Sequence, residues 1–144
     1  MHYIGPKVHI DLTQLVKNYH LLSNEVGNIP IMATVKANAY GHGSVEVSKA
    51  LEKEGVRYLA VFTIEEGIEL REAGVKSDIL LYSKLNPHGI DSAIKHKLTL
   101  NISSFDDLEI LKRYNVQGHM LKVHLKIDTG MTRLGVAHNQ AEDF

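Results

Sequence analysis

Two stretches of the chain gather residue types that can do chemistry. In the first, Lys36 stands directly behind the apolar run Ile31-Met32-Ala33-Thr34-Val35 and ahead of a small, glycine-rich segment, Ala37-Asn38-Ala39-Tyr40-Gly41-His42-Gly43. Lysine is among the residues least often fully buried, and desolvation opposes its ammonium form. A lysine delivered by a buried strand therefore needs a partner or a task. Its distinctive chemistry is imine formation with a carbonyl, including the aldehyde of pyridoxal phosphate, followed by proton transfer by the released amine. The alternative is a lysine that snorkels from a strand end. The glycines do not make a nucleotide site. Gly41-x-Gly43 lacks the third glycine of the dinucleotide fingerprint, and no Gly-Lys-Ser/Thr ending follows.

The second stretch is His124 to Gly135, HLKIDTGMTRLG. In an extended strand, Lys122, His124, Lys126 and Asp128 share one face and Val123, Leu125 and Ile127 the other. A polar row on a buried strand must be paired or functional, whereas on a sheet edge it is merely solvated; spacing leaves both open. Asp128-Thr129-Gly130 spells the aspartic protease triplet, but that chemistry needs two carboxylates sharing a proton, and the triplet occurs once. Nine histidines raise the question of a metal. His2, His9, His20, His42, His88, His96, His119, His124 and His138 form no H-E-x-x-H and no close cluster with carboxylates, so no metal is expected. Glu65, Glu66, Glu69 and Glu72 stand at helical spacing near Arg71 and read as a solvated face.

These residues need elements to position them. Apolar, β-branched runs at Ile31 to Val35, Tyr58 to Phe62, Asp78 to Tyr82, Leu98 to Ile102 and Leu121 to Ile127 are the expected strands. Helical segments alternate with them. Leu12 to Val26 follows Asp11 as N-cap and sets Leu12, Leu15, Val16, Tyr19 and Leu22 along one stripe. Ser44 to Gly55 ends in a glycine suited to a C-cap, while Thr63-x-x-Glu66 and Ser104-x-x-Asp107 open helices to Gly74 and Asn115 in the manner of capping boxes. A shorter helix, Gly89 to Lys97, follows the turn signal Asn86-Pro87-His88-Gly89. Lys7 to Ile10 could add a strand before the first helix.

Strand-helix units joined by short loops imply parallel strands. An open doubly wound sheet and a (β/α)₈ barrel both fit that pattern. A barrel typically needs about 250 residues, so 144 residues would hold only part of one, in a single domain. Lys and Arg total 16 against 17 Asp and Glu, for a formal charge of -1. No block of like charges supports nucleic-acid or membrane-surface binding. The first residues, Met1 to Ile10, lack the pattern of a signal peptide, and no apolar run approaches the roughly 18 residues that cross a bilayer. With no cysteine, thiol chemistry and disulfides are excluded, and the cytoplasm is the expected location.

Taken together, VKANAYGHG at Val35 to Gly43 and HLKIDTGMTRLG, with FTIEEGIELREAG between them and IDLTQLVKNYHLL ahead, closely resemble the N-terminal part of the alanine racemases. The likeness runs over nearly the whole chain. It implies an α/β fold: residues 1–144 as the N-terminal part of a pyridoxal phosphate-binding (β/α)₈ TIM-type barrel, with about five parallel strands and their helices. It implies racemisation of a small amino acid, L-alanine to D-alanine for peptidoglycan, by a homodimer.

Positions are carried over one at a time. Lys36 matches the lysine that holds pyridoxal phosphate covalently and acts as base toward one alanine enantiomer. Tyr40 matches the tyrosine whose hydroxyl contacts the cofactor phosphate. Lys126 matches a lysine often carbamylated in the family, and Arg133 the arginine near the substrate carboxylate. The second base, a tyrosine of the partner subunit's C-terminal domain in the family, has no counterpart among the six tyrosines here. The 144 residues alone are therefore expected to be inactive and, with open sheet edges, prone to associate. Two positions depart from the family pattern. Thr132 stands where glycine or another small or polar residue is common, and Tyr82 stands where an aliphatic residue often faces the cofactor. Serine racemases share these motifs, so serine is an alternative substrate, and a pyridoxal phosphate-binding protein without turnover is an alternative function.

Overall fold

The computed structural model describes residues 5–27, 29–114 and 121–144. Helix α1 spans Leu12–Val26, and the Asp11 carboxylate accepts the Gln14 amide at 3.0 Å, as an N-cap should. Strand β1 (Met32–Thr34) leads into a short turn labelled α2 (Lys36–Gly41), followed by α3 (Ser44–Lys53). The series continues with β2 (Tyr58–Val61), α4 (Ile64–Glu72), β3 (Asp78–Leu81), α5 (Ile90–Lys95), β4 (Leu100–Ile102) and α6 (Phe105–Tyr114). It closes with β5 (Val123–Leu125), β6 (Ile127–Asp128) and β7 (Val136–Ala137). The expected end of α6 at Asn115 lies outside the described residues, as do His2 and His119.

The first five strands run parallel in chain order. β2 pairs with β1 and β3 in register, Thr34 beside Ala60 and Ala60 beside Leu80. The step from β3 to β4 is made by a single bridge between Leu80 and Thr99, and β4 pairs with β5, Leu100 beside Val123. This is the parallel strand-helix order expected of a barrel. Among the described residues it stays open: β2, β3 and β4 are buried, β1 is half-buried, and β5 is exposed.

One apolar core joins strands and helices, built around Leu59, Val61, Leu70, Ile79 and Ile90. Of the α1 stripe, Leu12, Leu15 and Tyr19 pack partly against this core, whereas Leu22 is exposed. Gly55 ends α3 at φ 87°, a conformation that Cβ-bearing residues adopt at a cost, and Val56 donates back to the Leu51 carbonyl at 3.1 Å.

Two expectations need correction. Lys7 to Ile10 forms no strand; no neighbouring strand among the described residues pairs with it, and alternation alone does not make a ladder. The run Leu121 to Ile127 is not one strand but two pieces, β5 and β6, broken at Lys126. The Lys126 amide still donates to Ile102 of β4 at 2.8 Å, but its carbonyl accepts from Val136 at 2.8 Å. The chain changes pairing partner there, from β4 to β7. The face shared by Lys122, His124, Lys126 and Asp128 is thereby split, and Lys122 pairs with Asp78 at 2.9 Å near the other end of the sheet.

Candidate functional site

Lys36 follows β1 at the C-terminal end of the sheet, the end where parallel barrels gather their reactive side chains. It is half-buried. Its Nζ lies 6.0 Å from the centre of the Tyr40 ring and 5.8 Å from that of Phe62, within reach of a cation-π attraction. Among the described residues Lys36 forms no salt bridge. The amine thus has two aromatic neighbours and no carboxylate locked onto it.

The backbone that carries it is unusual. Ala37, Asn38, Ala39 and Tyr40 have φ of 51°, 53°, 51° and 55°, four successive non-glycine residues in the left-handed region. For Ala37, Ala39 and Tyr40 that region costs roughly 1–2 kcal/mol each. Local bonds hold the turn: Ala39 N to Val35 O at 2.9 Å, Gly43 N to Asn38 O at 3.0 Å, and Ser44 N to the Asn38 side-chain oxygen at 2.8 Å. Asn38 is well chosen, because its side chain caps the first turn of α3 while its backbone tolerates positive φ. The turn buries Ala39 and leaves Tyr40 exposed beside Lys36. His42 closes the turn with its Nδ1 2.8 Å from the Ala39 carbonyl.

Neighbouring strand ends add polar groups. The Tyr82 hydroxyl, just past β3, lies 2.7 Å from the Thr34 hydroxyl at the end of β1. Glu66, in the first turn of α4, accepts from the amides of Phe62 and Thr63 at 2.8 and 3.0 Å and from the Ala37 amide at 2.6 Å. Burial works to raise its pKa. The three amides and the nearby Lys36 charge outweigh that and hold the carboxyl below its ordinary value. The reading of Glu66 as part of a solvated face is therefore corrected: Glu65, Glu69 and Glu72 are exposed, but Glu66 is tied into the Lys36 turn. Thr63-x-x-Glu66 signalled its capping role; nothing in the sequence signalled the contact with Ala37, a residue 29 positions away.

The second group sits on β6 and the loop to β7. Asp128 accepts from the amides of Gly130 and Thr132 at 3.0 and 2.9 Å, and these bonds lower its pKa. Gly135, at φ 127°, lies so close to the Lys126–Asp128 backbone that a Cβ would come within 2.8 Å of the Asp128 nitrogen. That contact fixes the far end of the loop bearing Arg133. Lys126 and Arg133 are both exposed. Among the described residues, no hydrogen bond or ion pair joins either side chain to the other or to Lys36. The structure thus brings Lys36 and Tyr40 together, while Lys126 stands exposed between β5 and β6 and Arg133 exposed in the loop to β7.

The donor set can be tested against pyridoxal phosphate. An aldehyde-reactive cofactor asks for an accessible amine that is not neutralised by an ion pair, and for a hydroxyl to meet a phosphate oxygen. Lys36 and the exposed Tyr40 offer both, so the residues fit the group.

The chain as a whole is similar to known proteins. The family model described as alanine racemase, N-terminal domain, matches residues 10–144. The alanine racemase of Staphylococcus carnosus is 41% identical over 137 residues, 94% of this chain and 35% of that protein. The alanine racemase of Clostridium difficile 630, solved in complex with cycloserine, superposes with a TM-score of 0.79 at 42% identity, over 88% of this chain and 35% of that one. The enzyme from E. faecalis gives 0.83 at 36% identity, again over 88% of this chain and 35% of its own. The chain spans about a third of the length of the relatives it matches. With a parallel α/β fold shared with solved alanine racemases and a family match covering all but its first residues, this chain belongs to the alanine racemase family.

Proposed function

We propose that residues 1–144 form the N-terminal barrel part of a pyridoxal phosphate-dependent enzyme that interconverts L- and D-alanine, with Lys36 as the covalent anchor of the cofactor. The observation that carries this reading is the half-buried Lys36 amine at the strand end, near two aromatic rings and, among the described residues, free of a salt bridge, in a chain of this family. When bound, the cofactor supplies an electron sink that makes the α-proton of an amino acid removable. Lys36 is the base on one face of that carbon. For that, its nitrogen must carry a lone pair when it acts.

Tyr40 donates its hydroxyl to the cofactor phosphate. Arg133 orients the substrate carboxylate through its planar fork of donors. Lys126 adds its neutral amine to carbon dioxide and releases a proton, becoming a carbamate. Its two oxygens then hold the Arg133 guanidinium, which an ammonium would repel. The second base comes from a partner subunit, so the working form is a homodimer in the cytoplasm, supplying D-alanine for peptidoglycan. Among the described residues no helix is long and apolar enough to cross a membrane.

Borohydride reduction of the pyridoxal phosphate-bound full-length protein, followed by peptide mapping, should fix the cofactor to Lys36. Label at a different lysine would overturn the assignment. Lys36→Arg should retain fold and charge but lose racemisation, because a guanidinium neither forms the bond nor gives up its proton. A chiral assay with alanine and serine side by side tests the substrate. Serine as the better substrate would transfer the reading to serine racemisation, for which the Tyr82 hydroxyl near the rim is the structural support.

A further inference from the structure

We propose that Glu66 is a positioning residue for Lys36: it clamps the first amide of the left-handed turn and so sets the direction in which the lysine leaves the sheet. The proposal rests on the reading of Lys36 as the reacting amine.

A run of four non-glycine residues at positive φ persists only where its surroundings over-determine it. Most bonds that hold this run come from within it or from the ends of its own flanking elements. Among the described residues, Glu66 is the one side chain from another part of the chain that bonds to the turn's backbone. It does so at Ala37, the amide directly after Lys36. Because β1 and β2 are adjacent and in register, a carboxylate rooted in the turn after β2 can reach the turn after β1.

Helix capping alone does not require this. The capping box needs the Glu66 carboxylate on Thr63 and the Thr63 hydroxyl on the Glu66 amide, and both bonds are present. One carboxylate oxygen satisfies Phe62 and Thr63. The other is given wholly to Ala37. The carboxylate also attracts the Lys36 ammonium without forming a close ion pair with it. An amine can therefore be held in place and still react.

Two substitutions at Glu66 separate this role from capping. Glu66→Gln replaces one acceptor oxygen by a donor nitrogen, so the side chain can cap α4 or hold Ala37, not both. Glu66→Asp retains the charge but is a methylene too short to span the two sites. Thr63→Ala weakens the same helix start and leaves the Ala37 contact intact. Each variant is made in the full-length protein, stripped of cofactor, and compared for thermal stability, amide hydrogen exchange, and the rate at which added pyridoxal phosphate becomes reducible onto Lys36. Glu66→Gln and Glu66→Asp should exchange faster over residues 37–41 and capture the cofactor at least about tenfold more slowly, since small misplacements of a reacting group have large rate effects. Thr63→Ala should lose stability yet capture the cofactor at the parent rate. Capture at Lys36 at the parent rate in both Glu66 variants, or equal slowing in Thr63→Ala, would overturn the positioning role alone. Attachment of the cofactor to another lysine in the parent protein would instead overturn the reading of Lys36, and the positioning role with it.

Discussion

At the N-terminal ends of the strands the chain is clamped by side chains and is strained at one non-glycine residue, Lys97 at φ 53°, while at the C-terminal ends it carries a run of four such residues and more loosely held side chains. The clamp is built on Arg71 and Glu52. Arg71 donates to the carbonyls of Val75 and Ser77 at 2.8 and 2.7 Å and to those of His96 and Lys97 at 3.0 and 3.2 Å. One guanidinium thus ties the turn before β3 to the turn before β4. Glu52, at the end of α3, accepts from the amides of Lys76 and Ser77 at 2.7 and 2.6 Å and lies 2.8 Å from the Ser77 hydroxyl. Burial works to raise its pKa, but these bonds and Arg71 together lower it. At the opposite end, Glu66 makes a comparable cross-connection, but to a turn in the left-handed region that presents Lys36 and Tyr40, with Phe62 beside them at the end of β2. Structural strength and reactive groups are thus segregated to opposite ends, the division expected of barrel enzymes.

The largest effect that should follow is at the clamp. Arg71→Ala removes four charge-assisted bonds and leaves carbonyls of two turns without partners. It should cost about 3 kcal/mol in urea unfolding, given the usual worth of hydrogen bonds to charged groups and the penalty for unsatisfied ones. Arg71→Lys should recover little, because an ammonium cannot present a fork to both turns. The site of cofactor attachment should stay at Lys36 in whatever fraction remains folded. A fully stable Arg71→Ala protein, or one whose attachment site moves, would break the segregation of roles.

The two ends were unequally legible in the sequence. Helix α1 was readable because a local signal, Asp11 and an apolar stripe, coincides with the final structure. Strands β2 to β4 were readable because burial on both faces demands continuous apolar runs. Lys36 stood out as a charge behind such a run. The left-handed turn did not: Ala37, Ala39 and Tyr40 carry no preference for positive φ, and the nearby glycines lie after the strained residues. One of the bonds that hold it, from the Ala37 amide to Glu66, forms only once β1 and β2 are paired. Arg71 is another instance, since a helical arginine among glutamates reads as a surface charge until the turns at 75–77 and 96–97 converge on it. The break at Lys126 was hidden for a similar reason. Strand propensity is continuous through Leu121 to Ile127, and only the arrival of Val136 decides where pairing switches.

A smaller effect tests whether strain also marks the second rim. Thr132 has φ 56° in the loop that carries Arg133, a genuine outlier for a β-branched residue. Its side chain is exposed and makes one long contact, 3.4 Å to the Gly130 carbonyl. The bond from its amide to Asp128 belongs to the backbone and survives substitution. Thr132→Gly should therefore raise stability by about 1 kcal/mol, relief of the left-handed penalty less the entropy of an added glycine. A loss of stability would show that the loop does not need this conformation.

The smallest effect on stability is expected at Ala37, and it is the most informative about the Lys36 turn. Ala37 is exposed, so removing its methyl group forfeits little packing. Its φ of 51° costs roughly 1–2 kcal/mol in an alanine, and glycine gives back about 0.4–1 kcal/mol of that through the freedom it adds to the unfolded chain. The net gain from Ala37→Gly should be about 0.5 kcal/mol, the difference of these two effects, with the strain at Asn38, Ala39 and Tyr40 unchanged. Capture of pyridoxal phosphate at Lys36 should nevertheless slow. The amide that Glu66 holds would remain, but the backbone on either side could now reach conformations that alanine forbids, and the amine would spend less time aimed at the site. Stability and reactivity would then move in opposite directions in one variant. Urea unfolding and the rate of reducible cofactor attachment, measured on the same full-length protein, report the two. If both rise together, the strain in the turn does not serve to aim Lys36, and the left-handed conformation must instead be a consequence of how α2 is joined to α3.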